Sequence, residues 1–174
     1  TERYEGYGNS IRKIMERKDQ NPGIHGVVAD LIKTEKKYET AIETALGGSI
    51  QNIVTDNEQT AKRMIEFLKK NKFGRATFLP LTQIRSHGGI AQPQALNEEG
   101  VIGLADTLVM VEDKYVELAG SLLGRTLVVD HIDHGLAIAR KYRQSIRIVT
   151  LEGDLSNPGG SMTGGAFKNS SNLL

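Results

Sequence analysis

The stretch RIVTLEGDLSNPGGSMTGG, residues 147–165, decides the fold. Residues 146–151 form an apolar, β-branched run that predicts a buried strand. The segment Asn157-Pro158-Gly159-Gly160 then has the composition of a turn. Residues Ser161 to Phe167 predict a short strand that carries few side chains, because glycine contributes none. Such a strand exposes backbone hydrogen-bonding groups and has a weakly specified register, so it suits pairing along its edge.

This glycine strand allows two structural interpretations: pairing with the sheet of a second copy of the chain, or a tight hairpin within one chain. A phosphate-binding loop is the alternative function, because glycine-rich turns let backbone N–H groups surround an anion. The P-loop pattern fails, since Gly164-Gly165-Ala166 stands where Gly-Lys-Ser/Thr is required, and no convincing helix follows to complete a dinucleotide fingerprint. We therefore favour association over a small-ligand or nucleotide-binding enzyme.

No catalytic residue, cofactor or metal is predicted. Ser161 lacks a Gly-x-Ser-x-Gly setting, and no carboxylate pair stands out from the surface acids. The chain has no cysteine, which excludes disulfides, thiolate zinc sites and cysteine nucleophiles and fits a reducing cytoplasm. The sequence shows neither an apolar run of membrane-spanning length nor a signal peptide, so no membrane partner is expected.

Two halves of the chain resemble each other around this stretch. Tyr38 lies nine residues before Gly47, and Tyr115 lies nine before Gly124. In each half an apolar strand, a helix and a further strand follow the glycine, which predicts two related α/β units. The matched strands are 53–56 and 127–130, then 76–79 and 148–151. Chance similarity within any α/β protein remains the other explanation.

We expect an α/β fold with mixed sheets in two small subdomains. The first, residues 1–95, includes an entering helix and a linker, and the second, 96–174, ends in the glycine strand. Residues 81–100 are rich in Gln, Gly, Pro and Ser and supply the linker. Thr55 and Glu58 have the spacing of a capping box at the start of a helix in the first half. A length of 174 residues accommodates two such units.

The net charge is only +1, so any affinity for nucleic acid must come from a local patch and be sensitive to salt. Two basic groups are candidates for non-specific contacts to DNA phosphates, with a solvated helix face as the alternative. The first group is Lys62, Arg63, Lys69, Lys70, Lys72 and Arg75, and the second is Arg140, Lys141, Arg143 and Arg147.

The segment Asp130-His131-Ile132-Asp133-His134 places two histidines three residues apart, close enough to share a helix face. An aspartate is also what the N-cap of a helix favours, and the counterpart Asp56-Asn57 has no histidine. We interpret the segment as the start of a helix rather than as a metal site.

Four motifs in order carry a family resemblance over nearly the whole chain: 26–32, 38–48, 74–81 and 147–165. Together they resemble the hinge domain of bacterial structural-maintenance-of-chromosomes (SMC) proteins. The chain departs from that pattern in residues 86–97 and after Phe167, where Lys168 stands alone and relatives often carry several lysines. That departure weakens the transfer of a DNA site to the end of the domain.

The resemblance implies an SMC hinge fold that forms a homodimer through strand edges. It places the dimer interface at Gly159, Gly160, Ser161, Met162, Thr163, Gly164 and Gly165, and at Gly47 and Gly48. It implies non-specific DNA binding, for which we select Arg140, Lys141, Arg143, Arg147 and Lys168. The full-length protein is then a cytoplasmic, nucleoid-associated chromosome condensation and segregation factor with accessory condensin subunits and an ATPase in a separate head domain. An antiparallel coiled coil leaving both ends would require Thr1 and the tail to lie close together.

Overall fold

The computed structural model describes residues 7–167, so Lys168 and the expected proximity of the two chain ends lie outside it. The helices are α1 (Asn9–Met15), α2 (Val28–Leu31), α3 (Glu39–Leu46), α4 (Glu58–Asn71), α5 (Val116–Leu123) and α6 (Ile132–Lys141). The strands are β1 (Ile24–Val27), β2 (Lys33–Thr34), β3 (Ile53–Thr55), β4 (Phe78–Pro80), β5 (Val101–Leu104), β6 (Val109–Met110), β7 (Thr126–Val129), β8 (Arg147–Thr150), β9 (Leu155–Ser156) and β10 (Met162–Thr163). Among these helices, none combines the length and the apolar character needed to cross a bilayer.

Two compact units divide the described chain. Unit 1 contains residues 7–31 and 48–84, and unit 2 contains 32–47 and 85–167. This division differs from the predicted boundary between residues 95 and 96. The first half contributes β2 and α3 to unit 2, where α3 packs against β8 and α5. The position of α3 in the sequence does not predict that it belongs to unit 2, because the unit of a helix depends on which sheet its apolar face packs against.

Unit 1 is built on a three-stranded sheet in the order β1-β3-β4. Strand β3 is antiparallel to β1 and parallel to β4, and α4 makes the crossover between the parallel strands. All three residues of β3 are buried, as expected for the central strand. Helix α1 buries Ile11 and Ile14 within the chain, which is the packing expected of an amphipathic helix on its own domain.

Unit 2 contains a five-stranded sheet in the order β10-β9-β8-β7-β5 and a two-stranded ribbon of β2 and β6. Strands β7 and β8 are parallel, and all their residues except Arg147 are buried, which is typical of strands covered on both faces. Helix α6 connects them and packs against both. The core beside α6 includes Leu127, Val129, Ile138, Ala139, Ile146 and Ile148.

The two sheets repeat one pattern of pairing. In each, an antiparallel neighbour, a central strand and a parallel neighbour follow in the order β1-β3-β4 and β5-β7-β8. Both antiparallel pairs contain a register shift, and a glycine directly follows it, Gly26 in β1 and Gly103 in β5. Glycine favours such bulges because it has no side chain to pack. This shared connectivity confirms the predicted internal repeat.

Several predicted elements are displaced. Residues 27–32 form a largely apolar run that predicts a strand, but β1 ends at Val27 and the chain turns into α2. The predicted linker contains a 3-10 helix, Pro93–Asn97, that buries Ala95 completely in the core of unit 2. Strand β5 follows directly and was not predicted, because Gly100 and Gly103 interrupt its apolar pattern. The linker is therefore partly structural.

The start of α4 shows how side chains fix a helix end. The N-cap is Asn57, and its side-chain oxygen accepts a 3.0 Å hydrogen bond from the Thr60 N–H. The predicted capping box of Thr55 and Glu58 is wrong, because Thr55 lies in β3 and is fully buried. The Thr55 hydroxyl donates instead to the carbonyl of Asn57, which ties the strand end to the helix start.

Replacing Asn57 with alanine should lower the free energy of unfolding by about 1 kcal/mol, because an orphan helix N–H loses its acceptor. Urea unfolding measures the change. Asn71→Ala at the other end of α4 is the matched control. Its side chain is exposed and donates only to the Phe67 carbonyl, so we expect a change within about 0.5 kcal/mol. Equal effects at the two positions would contradict the assignment of Asn57 as the cap.

Candidate association surface

The glycine-rich segment forms a hairpin at one edge of the unit 2 sheet. Strand β10 pairs antiparallel with β9, with Met162 opposite Ser156 and Thr163 opposite Leu155. The turn between them is closed by hydrogen bonds from the Asn157 N–H to the Ser161 carbonyl and from the Gly160 N–H to the Asn157 carbonyl, both 2.9 Å. The predicted turn at residues 157–160 is therefore present, and the hairpin interpretation holds for one side of the strand.

The glycines of this hairpin have different local roles. Gly159, Gly160 and Gly165 have positive φ angles of 94°, 105° and 127°, a region that L side chains rarely adopt. A side chain at Gly164 would instead meet the Asp154 carboxylate. Residues 159–167 are all exposed. The segment is thus fixed on its inner side by its own subunit and open on its outer side.

The outer side of β10 offers unpaired backbone groups. Because the Asn157–Ser161 pair is hydrogen bonded and groups alternate along an antiparallel strand, the N–H and C=O of Met162 point away from β9. No strand among residues 7–167 pairs with this edge. The predicted interface residues Ser161, Met162 and Thr163 therefore lie on an open sheet edge.

A second open edge, at β4 in unit 1, is not apparent from the sequence. The Ile53 N–H donates to the Thr77 carbonyl and the Leu81 N–H donates to the Thr55 carbonyl, so the intervening backbone of Phe78 and Pro80 faces away from β3. Pro80 is itself typical of edge strands, because proline has no N–H to give to a ladder. That proline was the one available signal in the sequence.

The repeat shows that these two edges are unequal. Strand β8 is the counterpart of β4, and the β9–β10 hairpin covers its outer side. Within the described residues, nothing equivalent covers β4. A glycine pair follows each strand, Gly88-Gly89 after β4 and Gly159-Gly160 after β8, but only the second lies in a hairpin that pairs with its sheet. One sheet therefore carries an additional hairpin, and the other lacks one.

Gly47 and Gly48, the remaining predicted interface residues, follow α3. Gly47 has a φ of 55° and ends the helix, so the conformation of the chain itself requires a glycine there. Gly48 has no strained φ, and a side chain on it would meet no atom within 4 Å. Gly48 lines a polar hollow in unit 1 with Thr77, the residue before β4. It is thus near the open edge of unit 1.

The predicted DNA-contact residues are placed differently from one another. Arg140 and Arg143 are exposed, and no ion pair in the described chain involves them. Lys141 lies 2.8 Å from the Glu98 carboxylate, which also accepts from the Tyr142 hydroxyl. The hydrogen bond from Lys141 holds the pKa of Glu98 below its usual value. Lys141 is therefore already paired.

Arg147 points into its own unit. Its guanidinium donates to the Ala45 carbonyl at 2.8 Å and to the Thr126 hydroxyl at 2.9 Å, and burial lowers its pKa. These bonds tie α3 to the sheet of unit 2. By contrast, the basic residues of α4 are exposed, with Arg63 donating to the Thr60 hydroxyl.

One cluster in residues 7–167 has the donor atoms to hold a metal ion. Asp130, His131 and His134 each offer a ligand atom, and these atoms lie within 4.8 Å of one another. The hydrogen bond between Asp130 and His134 lowers the pKa of Asp130 and raises the pKa of His134. The predicted helix start is present, with His131 rather than Asp130 at the N-cap.

Comparison with known proteins agrees with this architecture. The family model described as "SMC proteins Flexible Hinge Domain" matches residues 21–139. The "Chromosome partition protein Smc" of Bacillus subtilis is 43% identical over 98% of this chain, which spans 15% of that relative. The protein of the same name from Methanocaldococcus jannaschii is 42% identical over 94% of the chain and 13% of its own length.

Solved structures give the same result. A crystal structure of an asymmetric dimer of the Geobacillus stearothermophilus SMC hinge domain matches with a TM-score of 0.90 and 39% identity, over 98% of this chain and 69% of that one. The Pyrococcus furiosus SMC hinge domain matches with a TM-score of 0.75 and 34% identity, over 98% and 86%. The described fold, the repeat and the glycine hairpin together with these matches show that the chain belongs to the SMC hinge-domain family.

Proposed function

We propose that this domain joins two copies of a chromosome partition protein, and that each open edge of one copy pairs with the other kind of edge in its partner. The observation that carries the proposal is the inequality of the two sheets, because β10 has a free outer side and β4 lacks the cover that β8 receives. Exposed strand edges pair readily with other strands, since their N–H and C=O groups need partners.

Pairing of β10 with β4 would supply unit 1 with the strand that its counterpart already has. The edge of β10 offers the N–H and C=O of Met162, and the edge of β4 offers those of Phe78 and the C=O of Pro80. Two identical chains related by a two-fold axis make this contact twice, because a contact from β10 to β4 implies the reciprocal one. Two contacts and closed symmetry limit the assembly to a dimer.

The family supports the wider role. The Geobacillus structure is of a hinge dimer, and the curated relatives are chromosome partition proteins several times longer than this chain. In the full-length protein the dimer would link two long arms in a cytoplasmic, nucleoid-associated complex with accessory condensin subunits. ATP hydrolysis would then belong to a head domain outside this segment. The glycine segment leads into β10 and not into a helix, so a nucleotide-binding enzyme has no support.

A weak, non-specific affinity for DNA is the second proposed property. Arg140 and Arg143 are exposed near the end of α6, and Lys62, Lys69 and Lys70 are exposed on α4. Exposed cations contact phosphates without reading base sequence, and such binding weakens steeply with salt. Because Lys141 and Arg147 already have partners, Arg140 and Arg143 are the residues of the predicted group best placed for phosphate contact.

The edge pairing can be tested by cross-linking, because the chain has no cysteine. Met162→Cys and Thr77→Cys place single thiols on β10 and immediately before β4. A mixture of the two variants, treated with a short thiol-specific cross-linker, should give covalent dimers that contain one of each. Each variant alone should give few. Isotope labelling of one variant and mass spectrometry identify the composition of the dimer.

Met110→Cys is the control for this experiment, since Met110 is also a strand methionine and is 56% exposed, against 49% for Met162. It should not cross-link to Thr77→Cys. Cross-links of Met162→Cys to itself, with none to Thr77→Cys, would contradict β10–β4 pairing. A sedimentation mass that stays monomeric at all concentrations of the unmodified chain would overturn dimerisation itself.

Gly48→Tyr should weaken the dimer at least tenfold, or about 1.4 kcal/mol, while leaving the monomer folded. A Cβ atom at Gly48 would meet no atom of its own chain within 4 Å, so weaker association would reflect the partner. Gly8→Tyr is the matched control, because Gly8 also has open space around it and no strained φ. Analytical ultracentrifugation measures the dissociation constants. Equal behaviour of both variants would remove Gly48 from the interface.

The double variant Arg140→Glu, Arg143→Glu should bind duplex DNA more weakly and with a shallower salt dependence. The slope of log K against log salt should fall by about 0.9 for each phosphate that the variant no longer neutralises. Lys18→Glu, Lys36→Glu makes the same change of charge at exposed lysines outside both candidate groups and is the control. Fluorescence anisotropy at several salt concentrations gives the slopes. Equal weakening in the two double variants would indicate a general effect of net charge, not a patch on α6.

A further inference from the structure

The corner after β7 in unit 2 brings two imidazoles and a carboxylate together. The His134 Nδ1 lies 2.7 Å from Asp130 Oδ1, and the His131 Nε2 lies 4.0 Å from Asp130 Oδ2. The two imidazole rings stack with centroids 4.2 Å apart. The Glu99 carboxylate approaches from the preceding loop, with Oε1 3.4 Å from His134 Nε2. Asp130, His131 and His134 thus place three potential ligand atoms near one point, and Glu99 lies at the other ring nitrogen of His134.

Unit 1 contains the same corner without histidine. Asp56 follows β3 as Asp130 follows β7, and each donates its backbone N–H over 2.9 Å to a glycine carbonyl, Gly23 and Gly100 respectively. Asp56 Oδ1 accepts from the next backbone N–H at 2.7 Å, as Asp130 Oδ1 does. In both corners the aspartate and the side chain four residues later fill the space where a glycine side chain would lie. The repeat therefore provides an internal reference.

At this reference corner, Asn57 and Thr60 occupy the positions of His131 and His134. Asn57 caps its helix with a side-chain hydrogen bond, whereas His131 makes no cap bond for α6. A helix can thus begin after the central strand without either imidazole. With histidine at the N-cap, α6 lacks the side-chain capping bond that asparagine makes in α4. The two histidines have no structural task that the first repeat does not meet with other residues.

We propose that Asp130, His131 and His134 bind a divalent transition-metal ion of the Zn²⁺ type, with Glu99 able to complete the site. Two imidazoles with a carboxylate are a donor set that Zn²⁺ accepts. Ligand atoms around a tetrahedral Zn²⁺ lie about 3.3 Å apart, since each metal–ligand bond is about 2.0–2.1 Å. The present limit of 4.8 Å closes by rotation of side chains that are exposed or half-exposed.

Binding requires the stacked rings to move. Their planes are 28° apart, and a shared metal needs the in-plane lone pairs of both rings to converge. The positive end of the α6 dipole opposes a cation at this position, and the carboxylates of Asp130 and Glu99 offset it. The Glu99 side chain is 88% exposed, so it is free to turn toward the ion.

The test is isothermal titration calorimetry. Bound metal is first removed from the untagged chain with a chelator, the chelator is removed in turn, and ZnCl₂ is then titrated in. We expect one ion per chain. The double variant His131→Asn, His134→Thr installs the side chains of the first repeat and should lose affinity at least about tenfold. Because asparagine can cap α6, the melting temperature of the double variant without metal should equal or exceed that of the unmodified chain. Zn²⁺ should raise the melting temperature of the natural chain only.

The control removes the other two histidines of the chain, His25→Asn with His87→Asn, and should bind Zn²⁺ normally. If the first double variant folds poorly, His131→Asn alone keeps the test open, since it adds a cap and removes one ligand. NMR signals of the His131 and His134 rings should shift with Zn²⁺ while those of His25 and His87 stay in place. The proposed site would be overturned if the unmodified chain did not bind Zn²⁺, if the His131→Asn, His134→Thr variant bound it equally well, or if the control variant failed to bind it.

Discussion

Backbone hydrogen bonding at the ends of the two sheets is the constraint on which this domain depends. A sheet can stop only where its last strand is covered, charged, interrupted or paired with another molecule. In unit 2 a glycine-rich hairpin adds two strands beyond the parallel pair, and its outer side presents almost bare backbone. In unit 1 the parallel pair ends at once, on a strand closed by Pro80. The two sheets share one pattern of pairing, but only the sheet of unit 2 has the additional hairpin. The chain therefore has an open outer edge at β10 and, at β4, an edge without the cover that β8 has.

Local features of this design are predictable from the sequence, and distant ones are not. Strand β8 is predictable because an apolar run stops at Glu152-Gly153, and the repeat is predictable because Tyr38 and Tyr115 keep the same distance to a glycine. The open edge of β4 is not, since openness is a property of strand order and not of the strand. Arg147 groups with surface cations in the sequence, although its acceptor, Ala45, lies 102 residues earlier in the chain. Contacts of that range leave no periodic signal.

The repeat also separates what the fold needs from what a single half has acquired. The aspartates at the ends of β3 and β7 each donate a backbone N–H to the carbonyl of an equivalent glycine, and a helix follows each of them. These aspartates therefore belong to the shared architecture. Asn57 and His131 are the N-cap residues of the two equivalent helices, α4 and α6, and only the asparagine forms a side-chain capping bond. Positive φ angles at Gly159 and Gly160 shape the turn itself, whereas Gly48 is free of any such demand. Comparison within one chain therefore distinguishes structural glycines and caps from residues available for other tasks.

The assignment of residues 32–47 to unit 2 has a consequence for how the domain is made. During synthesis this segment leaves the ribosome before residues 48–84, which complete unit 1, and long before 85–167, with which it packs. Its burial must await a partner that is translated later, so part of unit 2 has high contact order even though each βαβ element is local. A cut in the linker would not yield two autonomous fragments, because the carboxyl-terminal piece would lack α3 and the acceptor of Arg147. The two units are therefore interleaved along the sequence, and unit 2 is complete only when segments from both halves of the chain are present.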